Sequence, residues 1–512
     1  MKKSARIILG AVALWAVLLV LLVAAESGSP DATILSFGDA VWFSLITMTT
    51  VGYGDLSPVT GAGRVLGLIF ALCSIGILTA LIGLGLRLIG GEFIPRLRLR
   101  LRRSRRWYVF DADTPDAAAL CRALRAEGSA QTLIFPREGE ALTAGPDVVR
   151  IDADADDLVR LRGNSDGIAL FYMGDEPWEN YTQALAAAQK GYESYCMADL
   201  NAEQLPPALH LFSPREAMSR QYWKEHPLKA GERTVVLIGC GEAGSALLER
   251  ALLTNVFEPG RTVTYHVFGD TAEFEALHPV IVQAMADPAG GDDALIFHRE
   301  DWTAARALLA AADRVILAFD EDRDDLDAWE KLRCWFSGGA ELHVRLREPV
   351  PAVTSFGGRG ESIRPEFVMK DAVNRQARLL NDIYNESSPV PTAWNDLTPF
   401  LRQSNIAAAD HLIVKARYLL GDEDLTELTD EVCSQAYERF TALYREQPDL
   451  PQEMEHRRWM RFHQLYNWEY APVRDNALRR HTMLVPYQDL TPEDKRKDAY
   501  AWEMLGRLAA RE

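Results

Sequence analysis

Two uncharged apolar runs stand near the start of the chain, and short alternating strand-like and helix-like patterns fill most of the rest. Ile7 to Ala25 is apolar throughout. At about 1.5 Å per residue it is long enough to cross a bilayer as a helix. Lys2, Lys3 and Arg6 before it, with Ala24-Ala25 at its end, also fit a secretory signal peptide. Glu26 to Ser36 is a polar linker too small to be a domain. Phe37 to Thr49 is apolar, about three helical turns long, and too short to span. Val65 to Leu86 is the second run of spanning length. Its small residues, among them Gly67, Ser74, Gly76 and Gly83, permit close helix approach. Gly76 is the candidate hinge, because glycine weakens a helix locally; a packing glycine is the other reading.

From Trp107 the pattern turns α/β. Strand-like runs at Trp107–Phe110, Thr132–Phe135, Val148–Ile151 and Gly167–Tyr172 alternate with helical stretches, which predicts a parallel sheet. The first strand leads into Asp111-Ala112-Asp113-Thr114-Pro115-Asp116 rather than glycines. Three carboxylates repel a pyrophosphate, so this is a Rossmann-like unit without the nucleotide loop. A second unit opens with the strand Thr234–Ile238 and Gly239-Cys240-Gly241-Glu242-Ala243-Gly244, a GxGxxG that leads into a helix. Gly239 suits the tight turn, Gly241 lets backbone approach phosphate, and Gly244 lets helix meet strand. Glu242 starts the helix, whose N-terminus faces an anion. The strand Thr262–Phe268 ends at Asp270, the expected place for a ribose-binding acid. Gly239, Gly241, Glu242, Gly244 and Asp270 are the candidate residues for NAD(H) or an adenine nucleotide; a glycine turn kept for packing is the alternative. Further strands are expected at Ala294–Phe297, Arg314–Ala318 and Glu341–Leu346.

Composition narrows the functions. The chain has 512 residues and a net charge of −18, yet its first hundred or so residues are basic. The acid therefore lies in the remainder, which argues against nucleic acid as a partner. Six scattered cysteines without a CxxC pair fit reduced thiols rather than disulfides or zinc. Arginines crowd between Arg87 and Arg106. Basic residues beside both spans place both termini on the cytoplasmic side of a cell (inner) membrane, as a multi-pass hairpin. The arginine run suits anionic headgroups, at about 1 kcal/mol per basic residue, or a tether that transmits force.

Between the two runs lies Thr47-Met48-Thr49-Thr50-Val51-Gly52-Tyr53-Gly54-Asp55. Thr50 to Gly54 reads TVGYG, the sequence by which potassium filters are generally known. The physics is legible all the same. A bare cation needs oxygens to replace its water, and successive carbonyls turn one way only with unusual backbone dihedrals, which Gly52 and Gly54 permit. Thr50 can add a hydroxyl, and Val51 and Tyr53 would brace the loop from outside. From Trp42 to Arg64 the chain resembles the two-helix potassium channels. The resemblance implies a homotetramer, K⁺ as permeant ion, and an indole hydrogen bond from Trp42 to Asp55. Where many relatives carry a carboxylate before the filter, Ile46 stands here, so proton-linked inactivation does not carry over.

A pore followed by two Rossmann-like units resembles channels with RCK (regulator of K⁺ conductance) domains, over residues 107 to 385. The expected organisation is a membrane α-helical pore module (1–90), a basic linker (91–106), two Rossmann-like α/β domains (107–230 and 231–390), a helical connector (391–450) and a small, mainly α domain (451–512). That last stretch, with Asn467-Trp468-Glu469-Tyr470-Ala471-Pro472-Val473-Arg474-Asp475, His481 and Leu484-Val485-Pro486-Tyr487, resembles the ryanodine-receptor repeat. Asn467, Ala471 and Thr482 depart from its pattern. Trp468, Tyr470, Arg474 and Tyr487 are its candidate ligand residues, since rings stack on bases and arginine forks bind phosphates. The alternative is that the tryptophans are core. Asp410 and His411 read as a helix face, not a catalytic pair. The expectation is a ligand-gated potassium channel and no enzyme. A membrane-anchored NAD-binding oxidoreductase and a nucleotide-sensing transporter subunit are the alternatives, and each leaves the TVGYG segment unexplained.

Overall fold

The computed structural model describes residues 2–88, 93–128, 130–200, 205–286, 292–335 and 340–510; side chains 2–12, 73–78, 80, 81, 84, 86–88, 335 and 387 are outside the description. The chain divides into two compact units, residues 1–103 with 149–151, and residues 104–148 with 152–512.

The first unit is helical: α1 (Lys2–Glu26), α2 (Phe37–Met48), α3 (Gly61–Leu88) and α4 (Ile94–Leu101). Leu19 and Leu22 of α1, Ile34, Ala40 and Phe43 of α2, and Phe70 of α3 form its buried cluster. At Gly67, a Cβ would lie 3.2 Å from Pro58 and 3.7 Å from Phe43, so the small residue sets how near α3 approaches α2. Among the described residues no helix is long and apolar enough to cross a membrane. Both expected spans, Ile7–Ala25 and Val65–Leu86, fall partly on residues whose side chains are outside the description.

After α4 come β1 (Arg106–Phe110), α5 (Pro115–Ala126), β2 (Gln131–Phe135), β3 (Val148–Arg150), α6 (Ala155–Arg162), β4 (Ile168–Tyr172), α7 (Pro177–Gln189), β5 (Ser194–Met197), β6 (Leu209–Phe212) and α8 (Pro214–Glu225). A second set follows: β7 (Thr234–Ile238), α9 (Glu242–Thr254), β8 (Thr264–Phe268), α10 (Ala272–Leu277), α11 (Pro279–Ala284), β9 (Ala294–His298), α12 (Arg306–Ala311), β10 (Arg314–Leu317), α13 (Asp322–Trp335), β11 (Glu341–Arg345) and β12 (Ser355–Phe356). The strand orders are β3-β2-β1-β4-β5-β6 and β12-β11-β10-β7-β8-β9. Read from the first strand of each set, both are the doubly wound order 3-2-1-4-5-6, with the switch point beside β1 and beside β7. The continuous apolar runs predict these strands because both faces of a parallel sheet are covered. β5, β6 and β12 lie outside the expected set; they are short, and β6 and β12 are only part buried.

The two sheets exchange elements. Met218, Tyr222 and Trp223 of α8 pack with β7 and α9, and Trp223 Nε1 donates to Leu247 O at 2.9 Å. In return Ile363 and Val368, from α14 (Arg359–Ser362) and α15 (Pro365–Val368) and their junction, join the core of the first sheet. The remaining elements are α16 (Arg375–Ser387), α17 (Pro399–Leu420), α18 (Asp430–Glu446), α19 (Asp449–Leu465), β13 (Glu469–Tyr470), β14 (Arg480–His481), α20 (Pro492–Asp498) and α21 (Tyr500–Ala509). Ile413 and Val414 of α17, Met454 and Phe462 of α19 and Trp502 of α21 share the core of the second sheet, so residues 391–512 are continuous with it.

Candidate functional site

The loop after α2 is built from the helix outward. Ser36 Oγ accepts from Asp39 N at 3.1 Å, and Asp39 Oδ2 accepts from Ser36 N at 2.8 Å, a reciprocal cap that fixes where α2 starts. At the other end Val51 N and Gly52 N both donate to Ile46 O, at 3.0 and 3.2 Å, folding the loop back under the helix. The C-terminal, negative end of α2 thus borders the loop. Thr50, Gly52 and Gly54 have φ of 58°, 55° and 75°, alternating with Val51 and Tyr53. That alternation is the backbone condition for turning successive carbonyls to one side. Trp42 Nε1 donates to Asp55 Oδ2 at 2.9 Å, and its ring stacks on Tyr53 at 6.3 Å with planes 8° apart. Val51 and Tyr53 are 51 % and 70 % exposed in the single chain. Ile46 is buried.

One structural residue of this region lies outside the sequence reading. Glu26 is buried at the end of α1 and accepts from Val59 N, Thr60 N and Thr60 Oγ1 at 3.0, 3.0 and 2.7 Å. It ties α1 to the start of α3. A Cβ at Gly63 would lie 1.9 Å from Glu26 Oε1, so the glycine leaves room for the carboxylate as it is placed. The only signal in the sequence is a lone carboxylate closing an apolar run. Gly76 lies within α3, and its surroundings are outside the described residues.

In the second sheet the glycine loop has the expected form. Gly239 has φ 96°, and a Cβ there would lie 2.7 Å from the Ala318 backbone. At Gly244 a Cβ would lie 1.9 Å from Gly239 O, which is the close helix–strand contact assigned to it. Asp270 follows β8 and is exposed, with Oδ1 accepting from Ala272 N at 3.3 Å. Gly241 and Glu242 depart from expectation. Asp320, after β10, sends its carboxylate onto the start of α9, where Oδ1 accepts from Ala243 N at 2.9 Å and Oδ2 from Glu242 N at 3.2 Å. A Cβ at Gly241 would lie 2.0 Å from Asp320 Oδ2. The donors that would take a nucleotide phosphate are therefore engaged, and the space Gly241 leaves is filled by a side chain of the same chain. The Glu242 side chain points elsewhere, to Arg215.

The loop carrying Asp320 is held firmly. Arg345 Nη1 and Arg347 Nη2 donate to Asp320 O at 3.2 and 2.8 Å. Asp325 Oδ1 accepts from Phe319 N at 3.0 Å, and burial pushes the Asp325 carboxyl up to about 8 despite that bond and nearby Arg345.

The first sheet closes its switch point in a related way. Asp111 Oδ1 accepts from Met173 N at 2.7 Å, across the gap between the loops after β1 and β4. Burial holds its carboxyl above the usual range, against hydrogen bonds that lower it. Thr114 caps α5, and Pro115 removes a donor from its first turn.

The four C-terminal candidates do not form one surface. Trp468 is buried against Phe400, with ring centroids 5.3 Å apart. Tyr487 is buried, and its hydroxyl lies 2.8 Å from both Asp449 Oδ1 and Gln452 Oε1. Tyr470 and Arg474 are exposed. Asp410 is more than a helix face: Arg220 meets it with two bonds of 2.9 Å and Arg250 with one of 3.0 Å. His411 is buried with Nε2 2.8 Å from Val256 O. These contacts join α8, α9 and α17, a long-range arrangement no local pattern signals.

Comparison with known proteins covers a short part of the chain closely. A 58-residue stretch, 11 % of this chain, is 47 % identical to a voltage-gated potassium channel of Aeropyrum pernix, of which it covers 20 %. A 56-residue stretch, also 11 % of this chain, is 46 % identical to human potassium voltage-gated channel subfamily A member 4, of which it covers 8 %. The chain thus spans a fifth or less of these curated relatives. Among solved structures, the GsuK channel bound to ADP is 16 % identical, with a TM-score of 0.37, over 72 % of this chain and 99 % of that one. The GsuK channel bound to NAD is 12 % identical, with a TM-score of 0.34, over 74 % and 86 %. The family whose model matches is the ion channels, over residues 6–89.

Proposed function

We propose that the chain is a potassium-selective channel subunit whose cytoplasmic domains gate it in response to a small ligand. The observation that carries this is the filter loop: left-handed backbone at Thr50, Gly52 and Gly54, braced by Trp42 through Asp55 and Tyr53. A loop of this kind surrounds an ion only when several copies meet, so the reading requires four chains. Apolar residues support that assembly and a lipid surround: Tyr53, Val51, Val65, Leu68 and Leu72, with Leu14, Val17 and Val20 on α1, all stand exposed in the single chain. On this reading α1 and α3 span the cell membrane with both termini cytoplasmic, and Gly76 is the gating hinge.

Gating follows from unequal binding to open and closed rings. Moving such an equilibrium from 1:99 to 99:1 needs about 5.5 kcal/mol. Shared by four chains, that is about 1.4 kcal/mol each, the scale of one good hydrogen bond. A modest site in the second Rossmann-like domain suffices. The resemblance of residues 451–512 to a ryanodine-receptor repeat leaves Tyr470 and Arg474 as its exposed ligand-facing candidates, while Trp468 and Tyr487 belong to its core.

The test is cation flux from the purified full chain in liposomes. Flux of K⁺ well above Na⁺ is expected. Equal passage of Na⁺, or no K⁺ flux with nucleotides present and absent, refutes the filter assignment. Gly241→Asp, which forces a side chain against Asp320, is expected to alter the ligand response and leave K⁺/Na⁺ selectivity unchanged.

A further inference from the structure

We propose that Asp320 is the specificity determinant of the glycine-loop site: its carboxylate is an internal anion that competes with ligand phosphate for the start of α9. The inference rests on the reading of this domain as a nucleotide sensor. In a doubly wound sheet that binds a dinucleotide, the pyrophosphate lies against the first turn of the helix after the glycine loop. Here two donors of that turn, Glu242 N and Ala243 N, already serve the two oxygens of one carboxylate. The missing side chain of Gly241 makes room for it, with a would-be Cβ 2.0 Å from Asp320 Oδ2.

The carboxylate is placed there, not stranded there. Arg345 and Arg347 hold the Asp320 carbonyl, and Phe319 N is held by Asp325, so the side chain is presented from a fixed backbone. Two anions cannot share two N–H groups. A phosphate takes these two donors only if Asp320 swings out. Ligands that use the crevice without a phosphate at this point do not meet the competition.

The experiment measures ADP and adenosine binding to the full chain in lipid nanodiscs, by calorimetry at fixed ionic strength. In the wild type ADP binds no tighter than adenosine. In Asp320→Asn, which keeps the size and one acceptor oxygen but removes the charge, ADP tightens tenfold or more while adenosine changes less than threefold. Wild-type ADP binding tenfold tighter than adenosine overturns the inference with no mutant needed. So does an Asp320→Asn protein whose ADP affinity is unchanged or weaker while adenosine still binds. If neither protein binds either compound, the nucleotide reading falls, and the inference with it.

Discussion

Replacing Gly52 by alanine isolates the backbone condition of the filter. Gly52 has φ +55°, and a Cβ built there meets nothing within 4 Å. The substitution is therefore free of clash in the single chain, and its whole cost is conformational. An L-residue in the left-handed region costs about 1–2 kcal/mol. That corresponds to roughly a five- to thirty-fold loss of the conducting loop geometry in each chain. If all four loops must hold it together, the conducting fraction falls by the fourth power, on the order of a thousandfold to nearly a millionfold. The expected result is a stable tetramer by size exclusion with K⁺ flux abolished in liposomes. Semisynthesis with D-alanine at 52, which prefers positive φ, should restore flux. Unchanged selective flux in Gly52→Ala would refute the reasoning, because it would mean the left-handed backbone is not what presents the carbonyls.

Trp42→Phe keeps an aromatic ring near Tyr53 but deletes the donor to Asp55; at about 1.5–3 kcal/mol for a hydrogen bond to a charged group, reversal potentials should shift toward Na⁺, and an unshifted potential would show the brace idle. Gly244→Ala drives a methyl into Gly239 O, a backbone atom that cannot step aside, so ligand-free thermal stability should fall by the upper part of the about 1–3 kcal/mol typical of overpacking. Gly241→Ala meets only the movable Asp320 side chain, so its loss should be smaller. Glu455 is buried with Lys415 at 2.7 Å and Arg458 at 2.6 Å; burial alone would raise its carboxyl, but the two cations hold it down at about 2. Glu455→Gln strands both cations and should cost about 3–5 kcal/mol near neutral pH. Because the folded carboxyl sits below its ordinary 4.5, that stabilisation is complete above the ordinary value and fades as pH falls toward about 2. The gap in denaturation midpoint between wild type and variant should narrow over that window, and a constant gap would refute the assignment.

Local chemistry made much of this protein legible. The proposed filter is a run of consecutive residues, so Thr50 to Gly54 stands out in the sequence, and glycine permits the positive φ at Gly52 and Gly54. The same holds for the glycine loop after β7, and for buried parallel strands such as Thr234–Ile238, whose unbroken apolar run admits few other structures. The amino-acid order by itself thus determined which segments are extended, which turn sharply, and where an ion is expected to pass. Tertiary structure decided what lies opposite each of them. Asp320 stands 79 residues after Gly241 and Asp410 stands 190 after Arg220, and only the stacking of loops at a switch point or of α8 against α17 brings them together. It also sent Trp468 and Tyr487 inward, although their types suit a ligand surface equally well. The physical reason is one of range. Dihedral preference and hydrophobic period act over a few residues and are written in the local sequence, whereas desolvation and the pairing of buried charges depend on neighbours that the chain brings together only by folding.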